Sequence, residues 1–254
     1  MEGMKLGMDN DRRKEKIKAC IAIAIIIIAI LIVGMFSLKY SVEGDKNMPF
    51  KLAKITIVST AEGLENEGTS EKWNLNLFQN NDIYFSIEKI ENINDDVIKS
   101  IAIKNIQITK TPTKGEIKAY MPNSSDGRLF SYEAQYIIQE NSLTYKGAKQ
   151  TNSKNLEIGN QGGTAIMRFC NTGLGSYISN DDNEIKHDGT LLSKIGLKNE
   201  ELNFEVNFDF VINLKDVSYS SNITLQMPCS ENLMEEGTCS KEITDGFIFT
   251  RVNN

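Results

Sequence analysis

Between Asn203 and Leu214 the chain reads NFEVNFDFVINL, and hydrophobic and polar residues alternate along it. Phe204, Val206, Phe208, Phe210, Ile212 and Leu214 share one face, while Asn203, Glu205, Asn207, Asp209 and Asn213 share the other. A period of two sustained over this length belongs to a strand, because a helix would scatter the same side chains around its axis. One dry face and one wet face is the antiparallel pattern.

The same period recurs upstream. In WNLNLFQNNDIYFSIEKI, Trp73, Leu75 and Leu77 alternate, then Ile83, Phe85 and Ile87, and Asn80-Asn81 between them predicts a hairpin turn. In IAIKNIQITK the phase slips after Ile101 and Ile103 to Ile106 and Ile108, so a bulge is expected near Lys104-Asn105. FKLAKITIVS slips in the same way between Leu52 and Ile55. GEIKAYM, LFSYEAQYII, NLEIG, GTAIMRF, SNITLQM and GFIFTR read as further strands, with NSSDGR and GNQGG as turns. Two short helices are expected, one at NDDVIKS and one at DGTLLSKIG, which opens on a capping Asp188 and closes at Gly196. The fold class is therefore mainly β, an antiparallel β-sandwich-like domain over residues 50–254 with one or two short helices. Two smaller sheet domains dividing near 147–155 are the alternative.

A different pattern precedes this domain. From Ala19 to Leu38 the chain carries no charge and holds eight isoleucines. Twenty helical residues span roughly 30 Å, the hydrocarbon thickness of a bilayer. At roughly 0.5 kcal/mol each, the isoleucines alone favour insertion by about 4 kcal/mol. A cleaved signal peptide has a shorter apolar region and a small-x-small exit site, and GMFSLKYSVEG offers only poor ones. The run thus reads as an uncleaved transmembrane anchor. Arg12, Arg13, Lys14, Lys16 and Lys18 precede it, and only Lys39 and Lys46 follow closely. The positive side stays in the cytoplasm. This predicts a basic cytoplasmic tail over 1–18, a membrane span over 19–38, a linker over 39–49 and about 215 residues outside the cell membrane.

From Lys39 onward there are 22 Lys and Arg against 30 Asp and Glu, a net charge of −8. That argues against a nucleic-acid partner, which needs basic surface. The partners expected are the lipid bilayer, through residues 19–38, and a protein or other envelope component. Cys229 and Cys239 lie ten apart across a turn-like stretch and form the disulfide candidate. In the chain-entropy account such a bridge stabilises by about 2.5–3 kcal/mol.

Candidate chemistry is sparse. The stretch SNDDNEIKHDG gathers Asp181, Asp182, Asn183, Glu184 and Asp188 around His187, the one histidine. Hard oxygen ligands at such spacing can hold calcium, although the order is not that of an EF-hand loop, and a solvated acidic loop is the simpler reading. Cys170 closes the apolar run TAIMRFC and reads as a packed small hydrophobe; paired with His187 it would make a thiol–imidazole couple. Ser86 and Lys89 have Ser-x-x-Lys spacing, but on a strand and without the accompanying motifs of penicillin-interacting enzymes. TGLGSYIS reads as a turn, since no phosphate-binding loop is present, and no cofactor is expected. Trp73 and the tyrosines of YEAQY, Tyr132 and Tyr136, read as core. The polar stretch from Asn171 to Gly189 is the first place to seek a binding site. The function expected is that of a membrane-anchored envelope protein with a non-enzymatic binding or assembly domain. The alternatives are a cysteine hydrolase or transpeptidase acting on wall polymer and the outer domain of a membrane sensor.

Overall fold

The structure is a computed structural model that describes residues 18, 21–35, 48–66, 73–91, 96–123, 128–148, 156–179 and 190–252. The chain divides into two compact units, residues 1–45 and 46–254.

In the first unit, residues 21–35 form helix α1. Its large apolar side chains are exposed on every side, from Ile32 at 49% to Met35 at 70%. Among the described residues no helix is long and apolar enough to cross a membrane. Fifteen helical residues reach only about 22 Å, and both ends of the expected span, Ala19 and Leu38, lie outside the described residues.

The second unit is mainly β. Its strands are β1 (Phe50–Glu65), β2 (Trp73–Lys89), β3 (Ser100–Lys110), β4 (Glu116–Tyr120), β5 (Leu143–Gly147), β6 (Glu157–Ile158), β7 (Gly162–Ser179), β8 (Phe204–Asn213), β9 (Ser218–Met227), β10 (Thr238–Ile243) and β11 (Thr250–Val252). One sheet runs β10-β1-β2-β7-β4 and the other β11-β9-β8-β3-β5-β6. Every pairing is antiparallel except β5 with β6. Among the described residues three one-turn α-helices accompany them, α2 (Leu191–Lys194), α3 (Asn199–Leu202) and α4 (Leu233–Glu236).

Most of the alternating residues meet across a main apolar core. Phe85 of the first sheet stacks on Phe210 of the second at 5.0 Å between ring centres and meets Phe208 edge-on at 5.6 Å. Phe169 meets Phe204 at 6.4 Å. Both phase slips are bulges. β1 shifts register against β2 between Leu52 and Lys54. β3 shifts against β8 between Lys104 and Gln107, where Asn105 takes φ 53° and its amide donates to Asp209 Oδ2 at 2.7 Å.

Four expectations need correction. First, the hairpin at Asn80-Asn81 does not form. β2 is one strand of 17 residues, and both asparagines sit in its middle, paired with β1 on one side and β7 on the other. Their side chains have partners there: Asn81 Nδ2 donates to the Phe169 carbonyl at 3.2 Å and Asn80 Nδ2 to the Tyr132 hydroxyl at 2.7 Å. Second, LFSYEAQYII is a strap and not a strand. It makes one isolated bridge, Tyr120 to Ile137, and a single 3-10 turn at Ala134–Tyr136. Third, TGLGSYIS is not a turn but the second half of β7, in which Gly173 (φ 74°) and Gly175 (φ 140°) absorb a register shift opposite Leu77 and Gln79. Fourth, residues 96–99 of NDDVIKS are not helical. Ile98 and Lys99 donate their backbone N–H to Asn160 and Asn213, which draws Ile98 into the core. Of GFIFTR only Thr250 and Arg251 are in a strand. The helix at DGTLLSKIG is shorter than its sequence, with Thr190 at its cap position and Gly196 (φ 80°) just beyond its end.

Phe85 is fully buried between two aromatic partners on the facing sheet. Phe85→Ala is expected to cost about 3–5 kcal/mol through lost contacts and the cavity left behind. A urea-unfolding midpoint indistinguishable from that of the parent chain would mean that the sheets do not share this core.

Candidate functional site

The outer face of the first sheet carries a polar cluster built from four separate stretches. β1 supplies Glu62, β2 supplies Asn80 and Asp82, β7 supplies Arg168, and the strap over residues 128–138 lays Phe130 and Tyr132 across them. The Tyr132 hydroxyl accepts from Asn80 Nδ2 at 2.7 Å and from Arg168 Nη1 at 3.1 Å, and donates to Glu62 Oε2 at 3.3 Å. Arg168 forks onto Asp82, with Nε to Oδ1 at 2.5 Å and Nη2 to Oδ2 at 2.9 Å. Its guanidinium lies 4.4 Å from the Phe130 ring centre. The two charged side chains are only 12% and 15% exposed. Such planar forks are the strongest ordinary hydrogen bonds, and a ring face favours the same cation.

Electrostatics follow from this enclosure. Burial, offset in part by the Arg168 cation, raises the Tyr132 hydroxyl far above its ordinary value, so it stays protonated as a hydrogen-bonding hub. Burial works against the charge of Arg168, but the hydrogen bond and ion pair with Asp82 outweigh it and hold the guanidinium protonated. Cys170, beside Asn80 on the same face, is fully buried, and burial pushes its thiol up to about 12. That is the opposite of what a nucleophile needs.

Beside this cluster opens a groove of about 530 Å³, lined among others by Leu64, Phe78, Tyr120, Tyr132, Gly173 and Ser176. None of its described lining residues is charged. Phe78 and Tyr120 form its buried floor, each edge-on to Tyr132. Asn76, Gly173, Gly175 and Ser176 are its exposed rim.

The inner face of the same sheet has a buried polar belt. Ser59 Oγ donates to Asn81 Oδ1 at 2.8 Å, Gln79 Nε2 donates to the same oxygen at 3.1 Å, and Asn171 Nδ2 donates to the Lys114 carbonyl at 3.1 Å. The belt separates the main core from a second one under the far end of the sheet, made of Leu75, Leu77, Leu174 and the leucines of α2, α3 and α4. Ser59 also receives the backbone N–H of Cys229 at 3.1 Å. Cys229 and Cys239 face each other with sulfurs 2.9 Å apart. The hydrogen bond from the Cys239 thiol, joined by the Ser59 hydroxyl, outweighs burial and lowers Cys229 to about 6, while Cys239 is raised.

Of the residues singled out by the sequence, the structure brings Cys229 and Cys239 together. Asp181, Asp182, Asn183, Glu184, Asp188 and His187 lie outside the described residues. Ser86 and Lys89 sit on β2 as ordinary strand residues. Tyr132, expected in the core, is instead partly buried against the outer face of the sheet and lies on a strap. Among the described residues no group of three or more His, Cys, Asp or Glu is placed to hold a metal ion. The Arg168–Asp82–Tyr132 cluster has one sequence signal, a lone arginine inside the apolar run TAIMRFC. Comparison with known proteins finds no matching family model, no matching curated protein and no matching solved structure.

Removing Arg168 leaves Asp82 enclosed without its cation. Arg168→Met is expected to destabilise the domain by about 3–5 kcal/mol, and Arg168→Met with Asp82→Leu to recover much of that loss. Thermal melting of the three chains checks it, and an additive double variant would refute the coupling. In the reduced chain, Cys229 is expected to react with iodoacetamide at neutral pH, the rate rising as pH passes about 6, while Cys170 stays unlabelled until the domain unfolds. Mass spectrometry of the labelled peptides at pH 5 and pH 8 reads both.

Proposed function

We propose that this chain is a single-pass envelope protein whose β-sandwich-like domain acts outside the membrane as a non-enzymatic binding or assembly module. The observation that carries the reading is α1. A helix in contact with water shows at least one polar stripe, whereas every large side chain from Ile21 to Met35 is apolar and exposed. A bilayer covers such a surface on all sides, and the uncharged sequence continues beyond both ends of α1, from Ala19 to Leu38. The five basic residues between Arg12 and Lys18 favour an inward N-terminus.

The binding reading rests on chemistry present and on chemistry opposed. Among the described residues the groove beside Tyr132 has an uncharged lining, with an aromatic floor and a rim of small and polar residues, as suits a protein or neutral polymer contact. The buried, raised thiol of Cys170 speaks against a cysteine hydrolase. Acidic surface speaks against nucleic acid. Outside the cell, the closely placed thiols of Cys229 and Cys239 close to a disulfide that pins the loop carrying α4 to β10.

The full chain is expected to stay in the membrane fraction through alkaline carbonate washing and to leave it only with detergent. Protease added to intact cells is expected to degrade the C-terminal domain. Recovery of the chain in the soluble fraction, or a domain fully protected in intact cells, would overturn the reading.

A further inference from the structure

We propose that two copies of this chain pair antiparallel along the free edge of β7, residues Gly173–Ile178, about a two-fold axis at Ser176. This names a partner for the assembly reading above, and rests on it only in that a shared membrane concentrates the copies.

The edge is open. β4 pairs with β7 only over Arg168–Thr172. Its chain then turns away at Gly115 (φ 87°), and the N–H groups of Thr113 and Lys114 go to the Glu201 carbonyl, both at 3.1 Å. From Gly175 to Ile178, β7 is paired with β2 on one side, Gly173 and Leu174 lie in the register irregularity, and the other side of Gly173–Ile178 has no backbone partner among the described residues. A strand edge with unmet N–H and C=O groups is a template for another strand.

The terminal strands of the two sheets are guarded; β9 also leaves an uncharged stretch, Asn222–Met227, paired on one side only among the described residues, but only the β7 stretch borders the groove beside Tyr132. β10 carries Lys241 and Glu242, the latter bonded to Lys54 at 2.5 Å. β4 carries Glu116 and Lys118, and β6 and β11 are two and three residues long. Charge and shortness are the usual protections against pairing. GLGSYI has no charge and no proline. In a domain with a net charge of −8, it is a strip along which two copies can approach without like charges meeting.

Knob and hole lie on this same edge, which selects a second copy over an unrelated strand. Ile178 is 57% exposed. The irregularity at Gly173–Gly175 turns Leu174 into the second core, where it is 1% exposed, and leaves the groove on the outer face at that point. Antiparallel pairing about Ser176 sets Ile178 of each copy opposite Leu174 of the other. Each Ile178 then meets the outer-face space that Leu174 has vacated, beside Phe78 and Tyr132. Two-fold symmetry satisfies both halves at once, as an isologous contact requires. Main-chain hydrogen bonds hold the strands, and the filled groove fixes the register.

The test uses the full chain in membranes and in detergent. Ser176→Cys is expected to give a crosslinked dimer with a short bis-maleimide, above the level of the parent chain and of Lys104→Cys on the exposed bulge of β3. Adding Ile178→Asp is expected to abolish that band while leaving the melting temperature unchanged, because the side chain is exposed. Three results overturn the pairing: no Ser176→Cys dimer, a dimer no stronger than from Lys104→Cys, or a band that persists with Ile178→Asp. The anchor is judged separately by fractionation. A membrane-bound chain with no dimer removes only the pairing, and a soluble chain that still crosslinks at Ser176→Cys removes only the anchor.

Discussion

A buried amide is costly unless partnered, and β2 carries three in succession at its midpoint, Gln79, Asn80 and Asn81, all fully buried. An unmet polar group there costs about 1–3 kcal/mol; the three amide nitrogens and Asn81 Oδ1 find partners, while Gln79 Oε1 and Asn80 Oδ1 have none among the described residues. Asn81, on the inner face, binds Ser59 on β1 and the Phe169 carbonyl on β7, which ties the three longest strands of the sheet together. Ser59 in turn receives Cys229 and fixes the loop that leads to β10. Asn80, on the outer face, binds Tyr132 and so draws the strap onto the sheet, where Tyr132 meets Arg168 and Arg168 meets Asp82. The inner belt and the outer cluster are thus two consequences of one polar interruption in one strand.

The same interruption marks how far the sequence could be read. Period-two alternation located β8 and β9, and the phase slips at Leu52 and Lys104-Asn105 located two bulges, because both signals are local. Asn-Asn between two alternating runs is ambiguous. It can close a hairpin, or it can cross a buried sheet if distant residues meet its amides, and Phe169 and Tyr132 are about 90 and 50 positions away. Aromatic spacing in LFSYEAQYII imitates a strand for a related reason: Phe130 and Tyr132 are fixed by packing onto a face already built, and backbone pairing has little part in it. β5 and β10 are short strands whose alternation is too brief to stand out.

The candidate site was less legible than the fold. Its members come from Glu62, Asn80, Asp82, Tyr132 and Arg168, five positions on four stretches with no common spacing. Sequence reasoning looked instead to the long polar stretch from Asn171 to Gly189. Half of that stretch proved to be strand, because two glycines let β7 continue past a register shift that the pattern of side chains alone could not reveal.

The far end of β7 is held from beneath, which makes its edge a feature of the folded state. Helices of four residues have no stability of their own, since nucleation outweighs a single turn of hydrogen bonds. α2, α3 and α4 exist because Leu191, Leu192, Leu202 and Leu233 bury themselves against Leu75, Leu77 and Leu174. Glu201 secures α3 by accepting the Lys198 N–H at 2.9 Å. Ile195 comes so close under Gly175 that a Cβ there would meet its Cδ1 at 3.0 Å. Glycine is favoured there by its φ of 140°, and the close Ile195 tip adds to that preference. The opening on the outer face and the leucine core beneath it have one cause, the turning inward of Leu174.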